Sequence, residues 1–222
     1  MIIENTQVFG FESAIRGMRN PMNSWGKSDS YILDAAQYNH VNENCSNNEK
    51  IEYEPNVEKF VLGRNDMELS QKLSKAGTEH CKHLRLINVW FDITAPRYWY
   101  LEFDTYKHKE NVSCSTMHKI ASRYLDETDF CEGVSKDTIE TLNSYIKMFN
   151  SDLSKEEKHK WFMLIKNNLP EGYLQKRTVA TNYQTLMGMY NQRKNHRLHE
   201  WREFCKWVLS LPYFKHLTGI EE

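Results

Sequence analysis

The segment APRYWYLEFDTYKHKENVSCSTMH, residues 95–118, carries the strongest structural signal in this chain. It follows the run Leu84–Ile93, which predicts a buried strand because apolar side chains alternate along it. Pro96 then opens a predicted helix, since proline is tolerated in the first turn, where its missing N–H has no intrahelical partner. Aromatic and charged residues are interleaved after Pro96, and a hydroxyl-rich tail surrounds Ser115. This mixture indicates either a binding surface or a core helix with a solvated back face and a loop after it.

Length and charge favour a single soluble domain. A chain of 222 residues is long enough for one domain with a substantial core. The formal net charge of −1 gives no global attraction to nucleic acid or to an anionic membrane, so a phosphate site would need a local cluster of cations. No apolar run has the length of a transmembrane helix, and the first residues lack a basic start followed by an apolar core. We therefore expect residues 1–222 to form one domain of a cytoplasmic protein.

The cysteines do not predict a disulfide framework or a metal centre. The five cysteines are odd in number and scattered, and no C-x-x-C motif is present. His80, Cys81 and His83 could supply metal ligands, but no second cluster has suitable ligand spacing. We therefore expect no metal site.

The rest of the chain predicts an α+β fold, because helices and strands lack the regular alternation of a doubly wound sheet. Strands are predicted at 2–9 and 177–181, and helices at 12–19, 65–76, 136–149, 155–169, 184–193 and 198–211. Residues 28–57 are interpreted as an irregular excursion with one short helix near 31–38.

Two helix starts have specific signals. Asn65 or Asp66 can cap the second predicted helix, which Gly77 ends. Ser154 and Glu157 have the spacing of a capping box. The residues predicted to be buried behind this box are Trp161, Leu164 and Ile165.

Polar residues gather in three groups that a fold could bring together. These are Arg16, Arg19 and Ser24, then residues 107–118, then Lys166, Arg177, Asn182, Arg193 and His196. Cationic side chains bind phosphate, hydroxyls complete the shell of the anion, and an asparagine amide reads a base edge. Each residue alone has an ordinary interpretation as a solvated surface charge or a backbone-satisfying amide. Together they favour a nucleotide site, although the chain has no glycine-rich phosphate loop.

Several segments resemble motifs of the flavin-dependent thymidylate synthases. FESAIRGMRNPMNSW, residues 11–25, is similar to the S-A-x-R-x-x-R segment of that family, with Ser24 following. KAGTEHCKH, residues 75–83, is similar to the turn before the family's central strand. Ala95 and Pro96 match the family's A-P helix, which leads to the signature R-H-R and then S-x-R-Y. Without gaps, Ser115 falls on the signature serine.

The C-terminal part of the resemblance is longer. Leu169 and Pro170 match an L-P pair, Asn182 then falls on a flavin-contacting asparagine, and Arg193 falls on an arginine near the substrate. Lys166 replaces an arginine that helps to hold the nucleotide phosphate in the family.

The sequence departs from the family at several cationic positions. In the gapless register R-H-R becomes 105–107, Thr-Tyr-Lys, and the arginine and tyrosine of S-x-R-Y become Met117 and His118. Gln184 stands at a further arginine position. A charge-assisted contact contributes about 1.5–3 kcal/mol, so these losses would weaken binding considerably. A register shifted by two residues instead places the Lys-His-Lys sequence of 107–109 over R-H-R.

The resemblance implies a thymidylate synthase-complementing-protein-like fold, with a central antiparallel sheet flanked by helices, and a homotetramer with sites at subunit interfaces. It implies methylation, or another one-carbon modification, of dUMP, with FAD as cofactor and with NADPH and methylene-tetrahydrofolate as co-substrates. The implied substrate-binding residues are Lys107, Ser113, Ser115, His118, Lys166, Arg177 and Arg193, and Ser115 and Arg193 are also implied as catalytic. The implied cofactor-binding residues are Ser24, Thr78, Glu79, His80, Asn182, Gln184 and His196.

The missing cations leave a second hypothesis open. The chain could keep the fold as a nucleotide-binding or interaction protein without flavin chemistry. A third interpretation, a polar network without a ligand, is disfavoured by the in-register run from Leu169 to Arg193.

Overall fold

A computed structural model of the chain describes residues 1–33 and 59–221 and mixes helices with strands. The strands are β1 (Ile2–Phe9), β2 (Tyr31–Ile32), β3 (Phe60–Val61), β4 (Asn88–Pro96), β5 (Glu110–Ser113) and β6 (Leu174–Asn182). The α-helices are α1 (Phe11–Met18), α2 (Arg64–Ala76), α3 (Arg97–Phe103), α4 (Lys136–Phe149), α5 (Lys155–Asn168), α6 (Tyr183–Arg193), α7 (His199–Ser210) and α8 (Phe214–Thr218). The predicted α+β class is confirmed.

Four of these strands form one sheet in the order β1–β4–β6–β5, and β2 and β3 form a second, two-stranded sheet. The N–H of Arg97 donates to the carbonyl of Tyr173, and the N–H of Tyr183 donates to the carbonyl of Ile87. The end of β4 therefore lies beside the start of β6, and the start of β4 lies beside its end. This pairing is antiparallel, as the resemblance implied.

The described residues divide into two compact units. The first unit comprises residues 1–3, 92–105 and 111–178, and the second comprises 4–91, 106–110 and 179–222, of which 34–58 and 222 lie outside the described residues. The expectation of a single domain stays a prediction.

The core of the first unit lies between α4 and α5. Leu142 and Ile146 of α4 and Ile165 of α5 are fully or almost fully buried, and Leu169 packs with them. The positions 142 and 146 are one helical turn apart, so both side chains lie on the same face of α4. The predicted boundaries of this helix, 136–149, are confirmed.

Aromatic rings dominate the core of the second unit. Phe11 at the start of α1 contacts the rings of Phe60 and Tyr183 at centroid distances of 5.5 and 6.0 Å. Tyr183 in turn contacts Phe214 of α8 at 5.1 Å. Since aromatic pairs contribute about 0.5–1.5 kcal/mol beyond burial of their area, this cluster connects the N-terminal and C-terminal helices of the unit.

The capping box before α5 is confirmed, but the prediction that Leu164 is buried behind it is wrong. Ser154 accepts a hydrogen bond from the N–H of Glu157, and Glu157 accepts one from the N–H of Ser154. Ile165 is buried as expected, whereas Leu164 is 39% exposed. Successive residues of a helix point about 100° apart, so the side that buries Ile165 turns Leu164 outward.

The predicted cap of α2 is also wrong. The helix begins at Arg64, and the carboxylate of Asp29 accepts the N–H groups of Asn65 and Asp66 at 2.9 and 3.2 Å. Asp66 is instead fully buried and pairs with Arg19. A remote residue supplies the cap because the local acid is used in the core.

Segment boundaries near the middle of the chain differ from the predictions. Residues Lys82–Arg85 form a 3₁₀ turn, so the strand begins later than expected and extends through Pro96. Pro96 is therefore the N-cap of α3, with φ −70° and ψ 152°, and does not lie in its first turn. Helix α8 was not predicted, because it has only five residues and follows Pro212 closely.

Part of the predicted excursion at 28–57, with the remainder of its helix, lies outside the described residues. Within them, Tyr31 and Ile32 form a strand that pairs antiparallel with Val61 and Phe60, so the helix prediction is wrong for these two residues.

Candidate functional site

The candidate site residues fall into two groups, one in each unit. The first unit contains Ser113, Ser115, His118, Lys166 and Arg177. The second unit contains Ser24, Thr78, Glu79, His80, Lys107, Asn182, Gln184, Arg193 and His196. Within the two described ranges no helix has the length and apolarity needed to span a membrane. The same ranges hold no group of three or more His, Cys, Asp or Glu side chains arranged to hold a metal ion.

Lys166 meets the hydroxyl-rich tail in the first unit. Its ammonium donates to the hydroxyl of Thr116 at 2.9 Å. Thr116 directly follows Ser115, whose hydroxyl accepts the N–H of His118 at 3.1 Å. The fold therefore brings Ser115, His118 and Lys166 to one turn and the helix beside it. Ser113 lies in the exposed strand β5 that precedes this turn.

The electrostatic environment of Lys166 favours an anion. Burial and, second, the positive charge of Arg97 lower the pKa of Lys166. Arg97 pairs with the half-exposed Glu171 at 3.2 Å and donates to the carbonyl of Leu169. Across the described ranges no carboxylate lies within ion-pair distance of Lys166. A bound anion would offset the repulsion between the two cations.

Arg177 has a different environment. Its Nη1 donates to both carboxylate oxygens of Asp104 at 2.8 and 3.0 Å. Its guanidinium also lies 3.7 Å from the ring centroid of Tyr100. Burial raises the pKa of this tyrosine. A substrate anion would have to compete with Asp104 for Arg177, whose side chain is only 12% exposed.

In the second unit, Asn182 lies in a polar cavity of about 350 Å³. The cavity is lined by Asn88, His108, Lys109, Glu110, Ala180, Thr181 and Asn182. Two members of the Lys-His-Lys sequence at 107–109 thus lie at the same cavity as the asparagine. Lys107 itself is exposed.

Helix α6 fixes the orientation of the Asn182 amide. Its Oδ1 accepts the N–H of Thr185 at 3.0 Å and the hydroxyl of Thr185 at 3.2 Å, as an N-cap residue does. Because Oδ1 is committed to the helix, the amide has only its Nδ2 donor to offer a ligand.

His108 adopts an uncommon backbone conformation at this cavity. Its φ is +61°, in the left-handed region that few residues other than glycine adopt. Its carbonyl accepts the hydroxyl of the buried Thr181 at 3.3 Å. Strained residues of this kind concentrate at ligand sites, so the conformation of His108 supports the interpretation of this cavity as a ligand site.

Arg193 is held by aromatic side chains of the second unit. Its Nε donates to the hydroxyl of Tyr106 at 2.7 Å, and its guanidinium lies 4.9 Å from the ring centroid of Trp201. Tyr106 in turn donates to Gln192 at 2.9 Å. The ring of His196 lies 6.2 Å from that of Trp201, so Arg193 and His196 flank one indole.

The remaining predicted cofactor residues form two further contacts. The Gln184 side chain donates to the carbonyl of Thr78 at 3.2 Å and accepts from Arg85. Glu79 and His80 are adjacent and exposed in the same turn, with Oε1 of Glu79 3.6 Å from Nε2 of His80. Four of the predicted residues, 78–80 and 184, are therefore brought together.

Ser24 lies near the buried ion pair of the second unit. Nη1 of Arg19 approaches the carbonyl and the hydroxyl of Ser24 at 3.4 and 3.5 Å. Nε of the same arginine donates to Asp66 at 2.6 Å. Arg19 therefore connects the Ser24 loop to Asp66 of α2.

Sequence reasoning missed Arg97 and Tyr106 as members of these groups, and it did not predict that Thr116, within the group 107–118, contacts Lys166. The pairs Thr116–Lys166 and Tyr106–Arg193 are separated by 50 and 87 residues, so no local pattern joins them. The available signal was compositional, namely the hydroxyls and aromatics of 95–118.

The comparisons with known proteins give a fold. No protein-family model and no curated protein matches the chain. Among solved structures, the flavin-dependent thymidylate synthase ThyX from Helicobacter pylori, complexed with FAD and dUMP, matches with a TM-score of 0.66 and 15% identity over 98% of this chain and 97% of that one. A second structure of the Helicobacter pylori enzyme with FAD and dUMP matches with a TM-score of 0.64 and 14% identity over the same shares. The chain therefore has the mixed helical and antiparallel-sheet fold of these flavin-dependent thymidylate synthase structures.

Proposed function

We propose that the chain is a flavin-dependent thymidylate synthase-like enzyme that methylates, or otherwise modifies with one carbon, the base of dUMP. FAD would be its cofactor, and NADPH and methylene-tetrahydrofolate its co-substrates. The observation that carries the proposal is the cavity in which Asn182 lies with His108 and Lys109. The likeness of fold to enzyme structures that hold FAD and dUMP supports it.

The donor set of this cavity fits a flavin. A flavin ring presents carbonyl oxygens and ring nitrogens at its edge, which accept hydrogen bonds. Asn182 offers Nδ2, while His108 and Lys109 offer N–H groups. The bound flavin would supply the transfer of reducing equivalents and of the one-carbon unit, and the role of these side chains is to bind and orient it.

The turn at Ser115 fits the phosphate of the nucleotide. Lys166 and Arg97 supply positive charge, and the neighbouring hydroxyls of Ser115 and Thr116 supply donors. Phosphate bound between an ammonium and hydroxyl groups receives short, charge-assisted hydrogen bonds. We assign Lys107, Ser113 and His118 to the same substrate role by resemblance.

Arg193 is assigned to the substrate base. Tyr106 and Trp201 fix the plane of its guanidinium, so little side-chain entropy is lost when it binds a planar acceptor. His196, Gln184 and the turn 78–80 are assigned to the cofactor by resemblance. A homotetramer and a cytoplasmic location complete the proposal and also rest on resemblance.

The first test asks whether the purified protein contains FAD. We expect a yellow preparation with a flavin absorbance band and stoichiometric FAD in the mass spectrum after denaturation. A colourless protein that fails to take up FAD at high concentration refutes the enzyme proposal.

The second test measures dUMP binding by calorimetry. We expect Lys166→Met to weaken binding roughly 10- to 150-fold, which corresponds to the loss of one charge-assisted contact. Lys160→Met, on the exposed side of α5, is the matched control because it removes the same charge. Equal affinities for the two variants would refute the assignment of Lys166.

A second candidate function is nucleotide binding without flavin chemistry. The observation that favours it is the hydrogen bonding of Gln184, which stands at an arginine position and is engaged by Thr78 and Arg85. A colourless protein that still binds dUMP through Lys166 would support this candidate over the enzyme. A protein that binds neither FAD nor dUMP would exclude both candidate functions.

A further inference from the structure

One face of α5 carries a cationic and aromatic stripe. Lys155, Lys158, His159 and Phe162 have the spacing i, i+3, i+4 and i+7, which places them on one side of the helix. The function proposed above uses none of these four residues. The first two turns of the helix therefore present three groups that carry or can gain positive charge beside one aromatic ring.

This stripe forms one wall of a cavity of about 470 Å³ in the first unit. Residues Met117, His118, Ile120, Ala121 and Ser122 and residues Phe149 and Asn150 supply the rest of its lining. The volume lies within the range of sites for small organic ligands. Apolar side chains form much of the wall, and Phe149 and Phe162 lie 6.1 Å apart with their rings tilted by 46°.

The cavity is asymmetric in charge. Two lysines and two histidines line it, and no carboxylate is among its lining residues in the described ranges. The first turn of the helix also carries Glu156, which is exposed and does not line the cavity, and Glu157, whose carboxylate accepts the N–H and the hydroxyl of Ser154 in the capping box. The first turn of a helix adds the positive end of its dipole. An anion is therefore the complementary charge.

The cavity also has polar groups that are already anchored. Asn150 donates its amide to the carbonyl of Ala121 at 2.9 Å, so its Oδ1 stays available as an acceptor. Ser122 donates its hydroxyl to the carbonyl of Lys119 at 2.7 Å, so its oxygen is also left as an acceptor. A ligand ring that carries N–H donors could pair with these oxygens.

We propose that this cavity is a second ligand site, which binds a planar heteroaromatic ring carrying an anionic group. The ring packs against Phe149 and Phe162, and the anion is bound by Lys155 and Lys158. Phosphate and carboxylate groups are both compatible with two ammonium groups, and the test separates them. The inference does not depend on the proposed flavin chemistry, and the cavity shares with the proposed substrate site the single residue His118.

The test titrates the full chain by calorimetry with four probes. Uridine monophosphate joins a ring to a phosphate, and folic acid joins a ring to carboxylates. Uridine and inorganic phosphate are the separated parts of uridine monophosphate. We expect at least one of the two joined probes to bind roughly tenfold more tightly than uridine and than inorganic phosphate, and the tighter of the two shows which combination of ring and anion the cavity prefers.

Variants locate the binding. Lys155→Ala/Lys158→Ala is expected to lower the affinity for the more tightly bound probe by at least roughly tenfold, since two charge-assisted contacts are lost. Lys147→Ala/Lys160→Ala, on exposed positions of α4 and α5, is the control with the same change of charge. Phe162→Leu should weaken binding through loss of ring contact, with the fold checked by circular dichroism.

Three results would overturn the inference. Equal loss of affinity in the two double variants would indicate non-specific attraction. No binding of either joined probe would exclude this ligand class. Binding that Lys166→Ala abolishes and Lys155→Ala/Lys158→Ala leaves intact would belong to the substrate site and not to this cavity.

Discussion

Replacing Asp66 with asparagine is expected to destabilise the protein by about 3–5 kcal/mol, because it leaves a buried guanidinium without its counter-charge. Nε of Arg19 donates to Oδ1 of Asp66 at 2.6 Å, and the two side chains are 4% and 0% exposed. The other carboxylate oxygen accepts the hydroxyls of Ser28 and Ser30, both at 2.7 Å. Asparagine has no negative charge, and its NH₂ group would face donors that need an acceptor.

The pH dependence follows from the pKa of Asp66. Burial raises this pKa, but the hydrogen bonds from Ser28, Ser30 and Arg19 together outweigh burial and leave it below its usual value of 3.8. A carboxyl group whose pKa is lowered by folding stabilises the protein above its unfolded pKa. That contribution is lost as the pH falls through the folded pKa. The difference between wild type and Asp66→Asn should therefore be largest near neutral pH and should shrink below about pH 4.

The assay is urea unfolding monitored by circular dichroism, at neutral pH and in acid. Glu68→Gln is the matched control, because Glu68 lies on the same helix and pairs with Arg64 at 2.9 Å while exposed to solvent. Exposed pairs at i, i+4 contribute only about 0.3–0.5 kcal/mol. A loss of free energy of unfolding for Asp66→Asn within about 1 kcal/mol of the control would refute the argument from burial. A difference that grows in acid would refute the assigned pKa direction.

Further substitutions test local features. Gly10→Ala should lower the melting temperature, because Gly10 has φ +98° and an added Cβ would overlap the backbone carbonyl of Leu86. Gly188→Ala, in the interior of α6, should instead stabilise the protein by about 0.5–1 kcal/mol, because the added Cβ meets open space. Ser154→Ala removes the capping box of α5 and should cost about 1 kcal/mol in urea unfolding, and an unchanged midpoint would show that the cap contributes nothing. Tyr106→Phe removes the hydroxyl that accepts a hydrogen bond from Nε of Arg193, and it should lower the free energy of unfolding by about 0.5–1.5 kcal/mol. Arg193→Lys, which keeps the positive charge, is the comparison variant.

Local patterns predicted the elements that local contacts form. The strand 2–9, the helix 136–149 and the capping box at Ser154 agree with the structure because each depends on neighbours within one turn or on simple alternation. The cap of α2 was wrong because its acceptor, Asp29, is remote along the chain. Leu164 was placed in the core because an apolar residue at helical spacing does not by itself define which face is buried.

The candidate site was predictable only in part. Register against a family predicted Asn182 and Lys166 as site residues; in the described structure Asn182 lines a cavity and Lys166 donates to Thr116. The partners of these residues were not found, because a contact between residues 50 apart leaves no periodic trace.

By itself, the sequence determined the α+β class, most helices and the residue types available for an anion, since these follow from periodicity, capping and composition. Only the tertiary structure decided which cations are already neutralised. Arg19 and Arg177 pair with Asp66 and Asp104, while Lys166 meets a hydroxyl and the like charge of Arg97. The physical reason is that the free energy of a charge depends on its burial and on partners that packing brings from distant parts of the chain.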